Sequence, residues 1–342
     1  MQFGIIGSGS WATALAKILT DNGHAINWCV RNERTVNHLN IRHHNPNYLS
    51  SVYFDTAKLR LSTNVKSTIE ASDHIVVAIP SAYVTGTLQH LDTKIFDVRK
   101  VLSAIKGILP ETNLLFNQYL QTVHAFPLED YYTVMGPCHA EEVAAEKLSY
   151  LTISGVNINA TRAIAANFAT EYLTTIINDD VTGVQFAAVL KNIYALGAGI
   201  AHGLEYGDNF LSVLIANCAD EMAGFLRKAG VQHIEVGVHE TIDHRKTANY
   251  AASVYLGDLL VTCYSLYSRN RTFGNMVGKG YSVNAAKLEM NMVAEGYYAS
   301  RCIHAINGTV GADMPIADSI YRILWEQLHP YEGFREIEKV LV

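Results

Sequence analysis

Gly7-Ser8-Gly9-Ser10-Trp11-Ala12 closes the short apolar run Phe3 to Ile6 and opens the stretch Ala12 to Leu19, which lacks glycine and proline. Strand, glycine turn and helix in that order predict the first βα unit of an open parallel sheet. In such a unit Gly7 and Gly9 let the backbone approach a dinucleotide pyrophosphate, and the helix N-terminus offers amide donors. A second apolar run, Ala25 to Val30, follows where the second strand belongs. The pattern points to a nicotinamide or flavin dinucleotide, although a GxGxxA turn also serves as a plain strand-to-helix connection.

The end of the second strand bears on which dinucleotide. An acidic residue there binds the ribose 2'-hydroxyl of NAD, whereas an arginine accommodates the extra phosphate of NADP. This chain has Arg31-Asn32, with Glu33 close enough to reach a ribose. The expectation is NADPH, with NADH as the alternative.

A chain of 342 residues suggests two domains, and 49% hydrophobic against 17% charged residues allows large cores. No uninterrupted apolar stretch reaches the roughly 18 residues needed to span a bilayer. The longest candidate, Ile193 to Leu204, is broken by Gly197, Gly199, His202 and Gly203. A soluble protein without a membrane span is expected, and nothing ahead of the first strand reads as a secretory signal. Cys29, Cys138, Cys218, Cys263 and Cys302 are widely spaced with no CxxC pair, which fits reduced thiols in a cytoplasm. A formal net charge of −6 without a long basic block argues against nucleic acid as a partner.

Up to about residue 180, short apolar runs alternate with helical segments: His74 to Ile79, Lys100 to Ile105, Tyr132 to Met135 and Tyr150 to Ser154 each end at a glycine, proline or lysine-glycine turn. That alternation predicts parallel βαβ units. Beyond Asp179-Asp180, the stretches Gly183 to Ile200, Phe210 to Ala229, Val254 to Ser268 and Ala285 to Ile306 read as long helices with small-residue faces. The predicted architecture is α/β: a Rossmann-like, doubly wound parallel sheet over residues 1–180, then a mainly α-helical domain over 181–342. Gly230 to Ala252 reads as a loop or insertion, and the spacing of His239, Asp243 and His244 within it does not suit a helical metal pair, so no metal is expected.

Hydride transfer to a carbonyl leaves charge on oxygen, which a positioned acid or cation must meet. Lys191 interrupts the run Phe186 to Ala195 with small or aromatic neighbours at helical spacing, so it either snorkels outward or is buried for a purpose. Lys106 follows a strand and precedes a glycine that admits a ligand. Ser268-Arg269-Asn270 concentrates donors, with arginine suited to bidentate phosphate binding, while a solvated helix end is the competing reading. Asp258 lies on an apolar segment, where an isolated carboxylate is costly and calls for a cationic partner.

Taken together, the sequence resembles the bacterial NAD(P)-dependent glycerol-3-phosphate dehydrogenases. The matching stretches are Gly7 to Ala16, Ala78-Ile79-Pro80-Ser81, Lys106-Gly107-Ile108, Gly136-Pro137 with Ala140-Glu141-Glu142-Val143, Leu190-Lys191-Asn192, Gly257-Asp258-Leu259, Ser268-Arg269-Asn270 and Glu295-Gly296, in family order along most of the chain. The resemblance implies that Lys191 donates a proton to dihydroxyacetone phosphate in reduction and accepts it in reverse. It implies a substrate pocket lined by Lys106, Gly136, Cys138, Lys191, Asn192, Asp258, Ser268, Arg269 and Asn270, with Arg269 as phosphate ligand. Ser10, Trp11, Arg31, Asn32, Tyr48, Lys106, Ala140, Arg269, Val293 and Glu295 would contact the cofactor. The pattern departs at Cys138-His139, where the family carries Ser-Phe, at Leu49-Ser50-Ser51, and in the longer connection Gly230 to Leu256. The implied activity is reversible NAD(P)H-dependent reduction of dihydroxyacetone phosphate to sn-glycerol 3-phosphate for glycerophospholipid synthesis. A β-hydroxyacid or 6-phosphogluconate type dehydrogenase and a non-catalytic NAD(P)-binding regulator are the alternatives. Analogy with related folds suggests a homodimer.

Overall fold

A computed structural model describes residues 1–231, 251–290 and 293–342. Most of the segment Gly230 to Ala252, His239, Asp243 and His244 included, lies outside the described residues. The chain divides into two compact units, one of Met1–Ile105 with Leu114–Val181 and one of Lys106–Asn113 with Thr182–Val342. Residues 106–113 thus group with the second unit, although sequence order alone assigns them to the first.

The first unit is built on an eight-stranded sheet of β1 (Phe3–Ile6), β2 (Ile26–Cys29), β3 (Leu59–Ser62), β4 (His74–Val77), β5 (Lys100–Ser103), β6 (Tyr131–Met135), β7 (Ser149–Ser154) and β8 (Leu173–Asn178), in the order β3-β2-β1-β4-β5-β6-β7-β8. Strands β1 to β6 pair in parallel. The reversal of direction on either side of β1 is the switch point at which ligands collect in open α/β sheets. The central strands read as apolar runs because both faces are covered: every residue of β1, β2 and β4 is buried. The helix Ser10–Asp21 covers β1 with Ala12, Ala14, Leu15, Ala16, Ile18 and Leu19, all fully buried.

Two features differ from the sequence expectation. The run Tyr150 to Ser154 was expected to extend the parallel order, but β7 runs antiparallel to β6. The link between them carries only the five-residue helix Ala140–Ala144, about 7 Å of rise. A helix of the same length, Val84–Leu88, lies in the link from β4 to the parallel β5, so helix length does not set the direction. Strands β3 and β8 were not anticipated, since Leu59-Arg60-Leu61-Ser62 and Leu173 to Asn178 are short and interrupted by polar residues.

The second unit is helical. Its long member, Val181–Gly203, holds a single Lys, Arg, Asp or Glu residue, Lys191. By length and composition this helix could cross a membrane, but its apolar window is wholly buried within the structure, the state expected of a helix that is apolar all round. Gly199 and Gly203 on this helix meet Gly274 and Gly278 on Arg269–Gly278: a Cβ on Gly199 would run into the carbonyl oxygen of Arg271, and one on Gly274 into that of Leu196. The two main chains lie in direct contact. The expected helix Val254 to Ser268 is shorter, a π-helical turn Ala251–Gly257 passing into the α-helix Asp258–Tyr264 and stopping at the extended Ser265. Ala285 to Ile306 divides into Val283–Glu289 and Glu295–Val310.

Candidate active site

In the second unit, Lys191 and Asp258 form a buried ion pair. Lys191 Nζ lies 2.5 Å from Asp258 Oδ1, and the two side chains are 5% and 2% exposed. Asp258 opens the Asp258–Tyr264 helix directly after the π-helical turn, a local irregularity frequent at functional sites. Its second oxygen, Oδ2, is buried with no hydrogen-bond partner among the described residues. Burial pushes the Lys191 ammonium down to about 8, the charge of Asp258 pulls it upward, and the nearby positive charge of Lys106 adds to the lowering. A lysine so placed exchanges its proton near neutral pH, where an acid-base group is most effective.

A chain of amides fixes the surroundings. Asn192 Nδ2 donates to the carbonyl of Lys106 at 2.9 Å. Asn192 Oδ1 accepts from Asn270 Nδ2 at 2.9 Å, and Asn270 Oδ1 accepts from the Gly296 amide at 2.9 Å. Four segments distant in sequence are tied in one line next to the ion pair. Ser268-Arg269-Asn270 starts a helix instead of following one: Ser268 Oγ caps it by accepting from the Arg271 amide at 3.3 Å. Arg269, at its first position, is half-buried and makes no ion pair with any described residue. Lys191 paired with Asp258, with the charge of Lys106 close enough to act on it, can exchange a proton with a bound group.

In the first unit, the glycine turn leads into a helix whose N-terminus has no side-chain cap and no acidic residue in its first turn. Gly7 has φ +130°, and a Cβ there would strike the carbonyl of Ala78. A Cβ on Gly9 would meet nothing within 4 Å. Free space before uncapped amides suits a pyrophosphate, so the turn fits a dinucleotide. At the end of β2, Arg31 is exposed, and Asn32 caps the following helix by accepting from the Thr35 amide at 2.9 Å. Glu33 Oε1 accepts from Thr63 Oγ1 at 2.8 Å at an exposed position.

Profiles of the NAD-dependent glycerol-3-phosphate dehydrogenase N-terminus and C-terminus match residues 2–161 and 180–335. A glycerol-3-phosphate dehydrogenase [NAD(P)+] of Listeria innocua is 34% identical over 94% of this chain and 91% of its own length. The chain belongs to the NAD-dependent glycerol-3-phosphate dehydrogenase family. The corresponding enzyme of Bacillus pumilus is 32% identical over 94% of this chain and 89% of its own. A solved glycerol-3-phosphate dehydrogenase of Coxiella burnetii superposes with a TM-score of 0.87 at 25% identity, covering 99% of this chain and 98% of that one. Membership in the glycerol-3-phosphate dehydrogenases makes the protein an oxidoreductase that uses a nicotinamide cofactor and a phosphorylated small-molecule substrate.

Within this glycerol-3-phosphate dehydrogenase family member, the positions expected from sequence fall in both units. Lys106, Lys191, Asn192, Asp258, Ser268, Arg269, Asn270, Val293 and Glu295 belong to the second, and Glu295 opens the helix whose next amide, Gly296, ends the chain of asparagines. Gly7, Gly9, Ser10, Trp11, Arg31, Asn32, Tyr48, Gly136, Cys138 and Ala140 belong to the first. Cys138 and Ala140 are buried in the apolar core of that unit. Sequence reading did not single out Gly296 as a partner of the site. A glycine directly after Glu295 was the available signal, since a Cβ there would strike the carbonyl of Asn192.

Proposed function

We propose that Lys191 gives a proton to the ketone oxygen of dihydroxyacetone phosphate as that substrate is reduced to sn-glycerol 3-phosphate, and takes it back in the reverse direction. The observation that carries this reading is the buried Lys191–Asp258 pair with its ammonium held near pH 8. The nicotinamide cofactor supplies the hydride when bound. As the ketone carbon becomes an alcohol carbon, the N–H bond of Lys191 breaks, its proton passes to the oxygen, and the amine is left neutral beside the Asp258 carboxylate. Asp258 keeps the ammonium oriented, and its Oδ2, without a hydrogen-bond partner among the described residues, is available to accept from a substrate hydroxyl. Lys106 and Arg269 supply positive charge for the phosphate. The proposed role of the product is as backbone for glycerophospholipids.

Loss of NADPH absorbance on adding dihydroxyacetone phosphate tests the reading, and consumption with a carboxylated ketone but not with the phosphoketone overturns it. Arg269→Ala is expected to raise KM for dihydroxyacetone phosphate about 10- to 100-fold with a much smaller change in kcat, the size of a charge-assisted hydrogen bond. Steady-state kinetics in varied phosphoketone decide it, and an unchanged KM takes Arg269 out of the pocket.

NADPH is proposed as the preferred cofactor because Arg31 stands at the end of β2. Arg31→Asp is expected to lower the ratio of kcat/KM for NADPH over NADH about tenfold, at the low end for a charge-assisted contact because Arg31 is exposed. Kinetics with both cofactors measure the ratio, and an unaltered ratio removes Arg31 from cofactor selection.

A further inference from the structure

The three consecutive carbonyls of the glycine turn are all held by hydrogen bonds from the protein. The Gly7 carbonyl accepts from Trp28 Nε1 at 2.7 Å, and the Ser8 carbonyl from Asn45 Nδ2 at 3.1 Å. The Gly9 carbonyl accepts from the Thr13 amide at 3.0 Å and from Thr13 Oγ1 at 2.9 Å. Across a trans peptide the N–H of the next residue points opposite to the carbonyl. Pinning these carbonyls inward therefore turns the amides of Ser8, Gly9 and Ser10 outward.

Asn45 occupies the middle of this arrangement. It is 0% exposed, and its side-chain amide is used on both sides. Nδ2 also donates to Thr13 Oγ1 at 2.9 Å, so the hydroxyl that holds Gly9 is itself held by Asn45. Oδ1 accepts from the amides of Asn47 and Tyr48 at 3.0 and 3.3 Å. One side chain ties together the glycine turn, the first helix and the segment bearing Tyr48. A buried asparagine with both donors and its acceptor engaged has a single orientation, which it imposes on its partners.

We propose that Asn45 is a positioning residue that holds the glycine turn with its amides outward for the cofactor pyrophosphate and fixes Tyr48 beside it. This rests on the reading of the turn as the NADPH site. Asn45 makes no contact with reacting atoms in this role; it acts through Ser8, Thr13 and Tyr48.

The test is Asn45→Asp, which keeps size and acceptor but puts an oxygen where the donor to Ser8 and Thr13 stood. NADPH affinity is read by fluorescence titration without substrate, alongside kinetics and thermal melting. Asn27→Asp is the control: Asn27 is 4% exposed and donates to the Ala71 carbonyl and to Ser72 Oγ, each at 2.8 Å, in the same unit. Asn45→Asp is expected to raise the NADPH Kd at least tenfold, with KM for dihydroxyacetone phosphate unchanged and kcat at saturating NADPH within threefold. Asn27→Asp is expected to lower the melting temperature without moving the Kd. An unchanged Kd in Asn45→Asp, or an equal rise in both variants, overturns the proposal. Should Asn45→Asp fail to fold, Thr13→Val removes the shared hydroxyl, and there a Kd equal to that of the parent protein overturns it. Parent protein that binds NADPH without turning over the phosphoketone removes the substrate reading and leaves this one standing. Parent protein that does not bind NADPH at all overturns both.

Discussion

Replacing Lys191 by methionine is expected to lower kcat for dihydroxyacetone phosphate reduction by about 10²- to 10⁴-fold, the usual contribution of a positioned general acid, while NADPH binding is retained. The direction of the pH dependence follows from the lowered lysine. The ammonium is the form that gives a proton, so reduction should fall as pH rises through about 8. Oxidation of sn-glycerol 3-phosphate needs the neutral amine and should rise through the same region. Steady-state rates in both directions across pH 6 to 10 decide the matter, since two profiles moving in the same sense would take Lys191 out of the proton transfer. Methionine keeps the length and apolar stem of lysine, so a loss of rate cannot be ascribed to a cavity.

Asp258→Ala should destabilise the second unit by about 3–5 kcal/mol, because it leaves a buried ammonium without its counter-charge. The sign of its pH dependence is fixed by Lys191. The folded protein holds this lysine near 8, below the ordinary 10.5, so unfolding takes up a proton between those values and stability rises with pH across that window. Removing Asp258 pushes the lysine lower still. The deficit of the variant relative to the parent should therefore be largest near pH 6 and fade as pH approaches 8. Thermal melting at several pH values measures it, and a deficit that does not depend on pH would contradict the pairing. The double variant Lys191→Met with Asp258→Leu should recover much of the lost stability, since an apolar pair of similar volume carries no desolvation penalty.

Much of this is legible in the amino-acid sequence alone. Phe3 to Ile6 and Ile75 to Val77 are continuous apolar runs because both faces of the central sheet are covered, so composition alone marks them as strands. Lys191 stood out as the lone charge on an apolar helix, and Asp258 as a carboxylate in need of a cation. The direction of β7 was not legible, since apolar alternation carries no information on which way a strand runs. The break between Tyr264 and Arg269 was hidden for a related reason. Leu266 and Tyr267 keep the apolar texture of a helix, yet they are exposed in a turn. Asn45 gave no signal, because a polar residue before a proline reads as a loop, and its function depends on carbonyls that only the folded turn aligns.

The contact between the glycine-bearing helices has a mechanical consequence. Where main chain rests on main chain, no rotamer can adjust to absorb a change, so the register of Lys191 against the Ser268 corner has the stiffness of a hydrogen-bonded backbone. A single methyl group at Gly199 or Gly274 would strike opposing backbone and force the two helices apart at that seam.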